Sequence, residues 1–188
     1  MKKLNFRILL SVLVLSVLLI GCSDDDESPK NYYTYNGETK ALSAGLLEYY
    51  GPLGMSSYNF DITLLNNIKF SETTGPSGAG DYIYFEVFSS SATELVPGTY
   101  TYDATESGAA NTFDDGDITI GYDTKTDEYK SVHKITSGTL KINKEGNVYT
   151  IDFEGTTADN KKVTAHYSGT LYYLDQTSDF RKVTLSGK

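Results

Sequence analysis

Three sets of residues in this chain have the types and spacing to do chemistry: an acidic run, two histidines near acids and hydroxyls, and one cysteine. The run Asp114-Asp115-Gly116-Asp117 offers the hard oxygen ligands that calcium takes from a loop, and with Asp123 or Asp127 it is the leading metal candidate. It lacks the alternate acidic spacing and distal Glu of an EF-hand, so a solvated acidic turn is the competing account. His133 and His166, with Asp152 and nearby serines, are the ingredients of a Ser-His-Asp site. His166 and Ser168 share a strand face with Thr164, yet side chains two apart on one strand stand about 7 Å apart, too far for direct proton transfer. No Gly-x-Ser-x-Gly elbow is present. Zinc is poorly served by two histidines and no spare thiol. The run Gly75-Pro76-Ser77-Gly78-Ala79-Gly80 has no Lys-Ser/Thr after it and reads as a loop, not a phosphate cradle. A glycosidase needs two carboxylates across a cleft, a spacing that twenty-five acids in a β-rich chain do not disclose. The expectation is a protein that binds and does not catalyse.

Tyrosine is the unusual component, with sixteen against eight phenylalanines and no tryptophan. A tyrosine packs its ring while its hydroxyl reaches water, which suits a half-exposed sheet face and equally a sugar- or protein-binding face. Within residues 82–88, Ile83, Phe85 and Val87 alternate onto a core face. Tyr82, Tyr84, Glu86 and Phe88 take the other. That second face is apolar enough to expect cover from another element or from a ligand, and Tyr82 and Tyr84 are the ligand-binding candidates.

Residues 1–21 have the build of an export leader, with Lys2, Lys3 and Arg7 ahead of an apolar run from 8 to 20 and then Gly21. The run is too short and wrongly flanked for a spanning helix. It closes as Leu19-Ile20-Gly21-Cys22, which resembles the lipobox of bacterial lipoproteins. That resemblance implies cleavage before Cys22, a diacylglycerol thioether on its sulfur and acylation of its new amino group. Each buried methylene is worth about 0.8 kcal/mol, so two or three chains on one residue hold firmly where a single chain is marginal. The use of cysteine agrees: Cys22 is the only one, so the fold stands without internal disulfides and thiol catalysis is excluded. Ser23-Asp24-Asp25-Asp26-Glu27 follows at once and resembles the acidic export signal of Bacteroidetes lipoproteins that face the cell exterior. A lipid-anchored protein of the outer membrane is therefore expected, with residues 22–30 as its acidic tether.

Loss of residues 1–21 removes three basic residues and no acid. Thirteen basic side chains then face twenty-five acidic ones, a formal charge of −12. Such a surface disfavours nucleic acid and anionic headgroups as partners. Residues 31–188 are expected to form a single domain. Asn36-Gly37 is a strong hairpin signal between strands at 31–35 and 39–44. Alternation then predicts strands over 42–50, 57–64, 82–88, 99–103, 117–122, 129–136, 139–143, 148–154, 162–167, 171–174 and 180–185, with a polar loop over 71–80. Ser-Gly-Thr-Leu occurs at 137–140 and 168–171 without matching flanks, and both glycines read as bulges or bends. Many short strands without a long amphipathic helix predict an all-β fold, an antiparallel β-sandwich or barrel. Three roles fit that frame: a surface module for a glycan or a protein, an accessory lipoprotein of an envelope or transporter assembly, and a lipocalin-like carrier of a small apolar ligand.

Overall fold

The computed structural model describes residues 29–178. The leader, Cys22, the tether up to residue 28 and the strand expected over 180–185 lie outside the described residues. The described chain is all-β, with strands β1 (Tyr32–Tyr35), β2 (Glu38–Ala41), β3 (Ala44–Leu53), β4 (Ser57–Asn66), β5 (Lys69–Ser71), β6 (Gly75–Ser77), β7 (Ala79–Ser89), β8 (Gly98–Tyr102), β9 (Thr112–Asp123), β10 (Ser131–Glu145), β11 (Val148–Thr157), β12 (Lys162–Gly169) and β13 (Tyr172–Asp175). Asn36 and Gly37 take φ of 51° and 84°, the paired positive values of a two-residue hairpin whose twist matches its strands.

Eleven strands form one sheet in the order β13-β3-β4-β7-β9-β8-β10-β11-β12-β1-β2, and β5 with β6 makes a separate hairpin. β9 pairs β10 directly over residues 117–120 and 131–134. Farther along, β8 wedges between them. The expected antiparallel arrangement is corrected at two pairings, since β8–β9 and β13–β3 run parallel. The strands are also longer than expected. β10 fuses the two expected over 129–136 and 139–143 across a bulge between Ile135 and Ser137. Residues 71–80, expected as a loop, hold β6 and the start of β7.

Alternation sends Phe60, Ile62 and Leu64 of β4 and Ile83, Phe85 and Val87 of β7 inward, as the sequence pattern requires. The same core takes Ile151 and Phe153 from β11, Val163 and Ala165 from β12 and Tyr33 from β1. Strands from both ends of the order share one core because the sheet curls into a half-barrel. Its interior is filled: Phe85 packs against Phe113 and Phe153 at ring separations of 5.9 and 4.8 Å. Each such side chain contributes about 1.5–3 kcal/mol by leaving water.

Gly138 lies opposite Gly155, where the two backbones and the Phe153 ring come close together. A Cβ on Gly155 would stand 2.2 Å from the Ser137 carbonyl oxygen and 2.4 Å from the tip of the Phe153 ring. Gly138 is thus a position of close backbone approach just past the bulge between Ile135 and Ser137. Gly169 differs: it ends β12 with no register shift.

The β1–β2 hairpin, which closes the end of the sheet beside β12, is also fastened to β7 by a buried carboxylate. Asp81 Oδ2 accepts from the Tyr33 hydroxyl and the Lys40 ammonium, each at 2.7 Å, and its Oδ1 accepts from the Gly121 amide at 2.8 Å. Burial opposes ionisation, but these three donors outweigh it and hold the carboxyl below its ordinary range.

Candidate functional site

The outside of the sheet differs from one half to the other. Over β10, β11, β12 and β1 it carries Thr139, Lys141 and Thr164, an ion pair of Lys162 with Glu154 at 2.8 Å and a hydrogen bond between His166 Nδ1 and Asp152 at 2.6 Å. Over β3, β4, β7 and β9 it carries tyrosines and carboxylates, and the β5–β6 hairpin folds across one side. Leu46, Leu65 and Ile68 form a small second core beneath that hairpin, joined by Phe70, Tyr82 and Leu174. Beside it runs an open groove of about 770 Å³ whose lining includes Tyr50, Asp61, Tyr82, Tyr84, Asp117 and Tyr129.

The register places four carboxylates in one row on this outer face. Glu48 of β3 lies opposite Asp61 of β4, Asp61 opposite Glu86 of β7, and Glu86 opposite Asp115 of β9. Directly opposed residues on one face have Cβ atoms about 5 Å apart, where like charges destabilise. Each acid has a donor: Gln176 Nε2 to Glu48 at 2.7 Å, Tyr84 to Asp61, Asn59 to Glu86, and Lys134 to Asp115 at 2.9 Å. Lys134 is the one cation among those donors.

Asp61 is the exceptional member. It is 8% exposed, and its Oδ1 accepts no hydrogen bond from the protein. Burial, with Glu86, Glu48 and Asp115 around it, outweighs the Tyr84 hydrogen bond and pushes its carboxyl up to about 7. The same enclosure pushes the Tyr50 hydroxyl up to about 12, through burial and then Glu48, Asp61 and Glu86.

The structure brings together Tyr82 and Tyr84, as the sequence pattern does. Tyr82 packs edge-on against Tyr122 at 5.5 Å. The expected cover over this face is in part the β5–β6 hairpin. The acidic run is corrected in place at Asp114 and Asp115, which lie on β9 and not on a loop, while Asp117 falls in the strand expected to start there. Asp115 and Asp117 face the groove side, where Lys134 bridges them at 2.9 and 3.4 Å. Asp114 sits at the bulge where β9 slips against β7, its carboxyl pushed up to about 6 by burial and then by Glu86, Glu106, Asp103 and Asp115. Asp123 accepts from the Lys125 amide and Asp127 from the Tyr122 hydroxyl, each at 2.9 Å. Among the described residues no three His, Cys, Asp or Glu side chains gather to hold a metal ion.

The histidines separate. His166 meets Asp152, as above, whereas His133 stands elsewhere, its Nδ1 2.8 Å from the Tyr35 hydroxyl and its Nε2 3.0 Å from Ser131 Oγ. Tyr35 in turn donates to Asp159 at 3.1 Å. An imidazole ring thus spans the two-residue spacing along a strand that separates Cβ atoms. This chain of polar contacts braces β1 against β10 at one mouth of the half-barrel.

Sequence reasoning missed Glu48, Asp61, Tyr50 and Tyr129. Asp61 alternates onto the polar side of its strand in the sequence, and only the strand register shows that it sits between two other acids. Comparison with protein-family models, curated proteins and solved structures found no match.

Proposed function

We propose that this chain is a non-catalytic binding protein, held to the outer membrane through lipid on Cys22 and facing the cell exterior, that seats a glycan in the outer groove. The observation that carries the reading is the groove itself, tyrosine-lined and acidic, on the outside of a sheet whose inside is filled. Ring faces stack on sugar rings, and the carboxylates and tyrosine hydroxyls accept and donate to sugar hydroxyls. A carrier holding an apolar ligand inside the barrel would need space that Phe85, Phe113 and Phe153 occupy. The accessory role in an envelope assembly draws support from the address implied by Cys22 but from no feature of the groove.

The test is titration of the full chain in detergent micelles with a panel of plant, host and microbial polysaccharides. Saturable binding that weakens about tenfold in Tyr129→Ala and in Tyr82→Ala supports the reading. Tyr129 is largely exposed, so its loss leaves the fold intact. Equal affinity in both variants, or no binding across the panel, overturns it.

A further inference from the structure

We propose that the row Glu48, Asp61, Glu86 and Asp115, which begins in the groove at Glu48 and Asp61 and continues beside it on the same face, is a cation subsite, and that its occupant is an amino-sugar oligosaccharide with free, protonated amines. The inference rests on the glycan reading above and names the glycan's chemistry.

The row has the shape of a line. Neighbouring strands lie about 4.8 Å apart, so its ends are separated by roughly 14 Å. A calcium ion needs its oxygens at about 2.3–2.6 Å and cannot be shared along such a line. A chain of β-linked sugars is itself linear, and its repeat of one pyranose ring is close to the strand spacing. Successive rings of such a chain are turned over, so amines on every second ring project to one side and would meet every second acid of the row.

Charge gives the second reason. Three of the four acids are hydrogen-bonded only by neutral donors, from Gln176, Tyr84 and Asn59, which bring no positive charge to the row. Lys134 neutralises the end of the row at Asp115 and also reaches Asp117. The middle of the row is uncompensated. It is also where Asp61, nine-tenths buried, keeps an oxygen with no donor. An unsatisfied buried acceptor is destabilising, and more so when charged. An ammonium placed there supplies both a donor and the missing positive charge. Hydrogen bonds of this kind are roughly twice as strong as neutral ones.

The surroundings select a sugar frame. Tyr50, Tyr84 and Tyr129 line the groove together with Glu48 and Asp61, and tyrosine rings serve both pyranose stacking and cation–π contact with amines. An aliphatic polyamine would use the acids and the cation–π contacts but has no pyranose ring to stack.

The experiment compares three probes on the full chain in detergent micelles: a fully deacetylated glucosamine hexamer, its N-acetylated counterpart, and spermine, at low salt and a pH that protonates the amines. Expected is binding of the deacetylated hexamer at least about tenfold tighter than the other two, weakened by added salt. Glu48→Gln and Glu86→Gln should each lower that affinity about tenfold, while Asp152→Asn on the opposite half of the sheet should leave it unchanged. Acetylated hexamer binding equally well, with Glu86→Gln silent, overturns the cation subsite and leaves the glycan reading standing. Spermine binding as tightly overturns the sugar frame. Absence of binding by either hexamer, with no other glycan bound, overturns both readings together.

Discussion

Asp81 and Asp61 are the same side chain, buried to nearly the same extent at 6% and 8% exposure, on neighbouring strands of one sheet. Asp81 accepts from an ammonium, a phenol and an amide, and its carboxyl is held below the ordinary range. Asp61 has a phenol on one side and carboxylates on two, and its carboxyl is pushed up to about 7. Burial alone therefore says nothing about the role of a buried acid. The partners decide whether its ionised form is stabilised or opposed.

The contrast is broken most severely at Asp81. Asp81→Ala leaves Tyr33, Lys40 and the Gly121 amide without their acceptor and should cost about 3 kcal/mol, read by urea unfolding at neutral pH. Because this carboxyl is depressed, its contribution is present above the ordinary carboxylate range and fades as the pH falls through the folded-state value. A loss below about 1 kcal/mol would show that the hairpin is held without it.

Asp61→Asn should do the reverse and raise stability. A raised acid binds its proton more tightly when folded, so wild-type stability declines as the pH rises from about 4 to about 7 and stays low above that. The groups facing it are Glu48 from β3, Glu86 and Tyr84 from β7, Asp115 from β9 and, beyond Asp115, Lys134 from β10. The variant gains at most about 4 kcal/mol above pH 7 and nothing below about pH 4, measured as the pH dependence of urea midpoints. A pH-independent difference would show that Asp61 is not the titrating group.

The smallest effect belongs to the polar half of the sheet. Asp152→Asn removes the exposed pair with His166 and should change stability by no more than about 0.5 kcal/mol by the same measurement. A larger change would mean that this face is also under electrostatic load, and the contrast between the two halves would narrow.

Much of the fold was legible because period-two alternation is strong in β4, β7 and β11 and because Asn36-Gly37 dictates its hairpin. The parallel pairings were not, since strand order is a tertiary property that no local pattern encodes. The candidate site was half legible. Tyr82 and Tyr84 stand out by alternation, but Glu48, Asp61, Glu86 and Asp115 are scattered over sixty-eight positions of sequence and become one row only through three strand registers. The run at Asp114 to Asp117 attracted attention for its density of acids, and a density of acids along a strand sends neighbours to opposite faces.

The fastening at Asp81 also has a mechanical meaning. Around the sheet, the route from β1 to β7 runs through β12, β11, β10 and β9, crossing the joint where β8 wedges in. Through Tyr33 and Lys40 it is a single step. A pull between the N-terminal segment that precedes β1 and a ligand held on β7 is therefore carried by the Asp81 contacts before the long path of ladders is stretched, and the curled sheet behaves as a closed loop under tension.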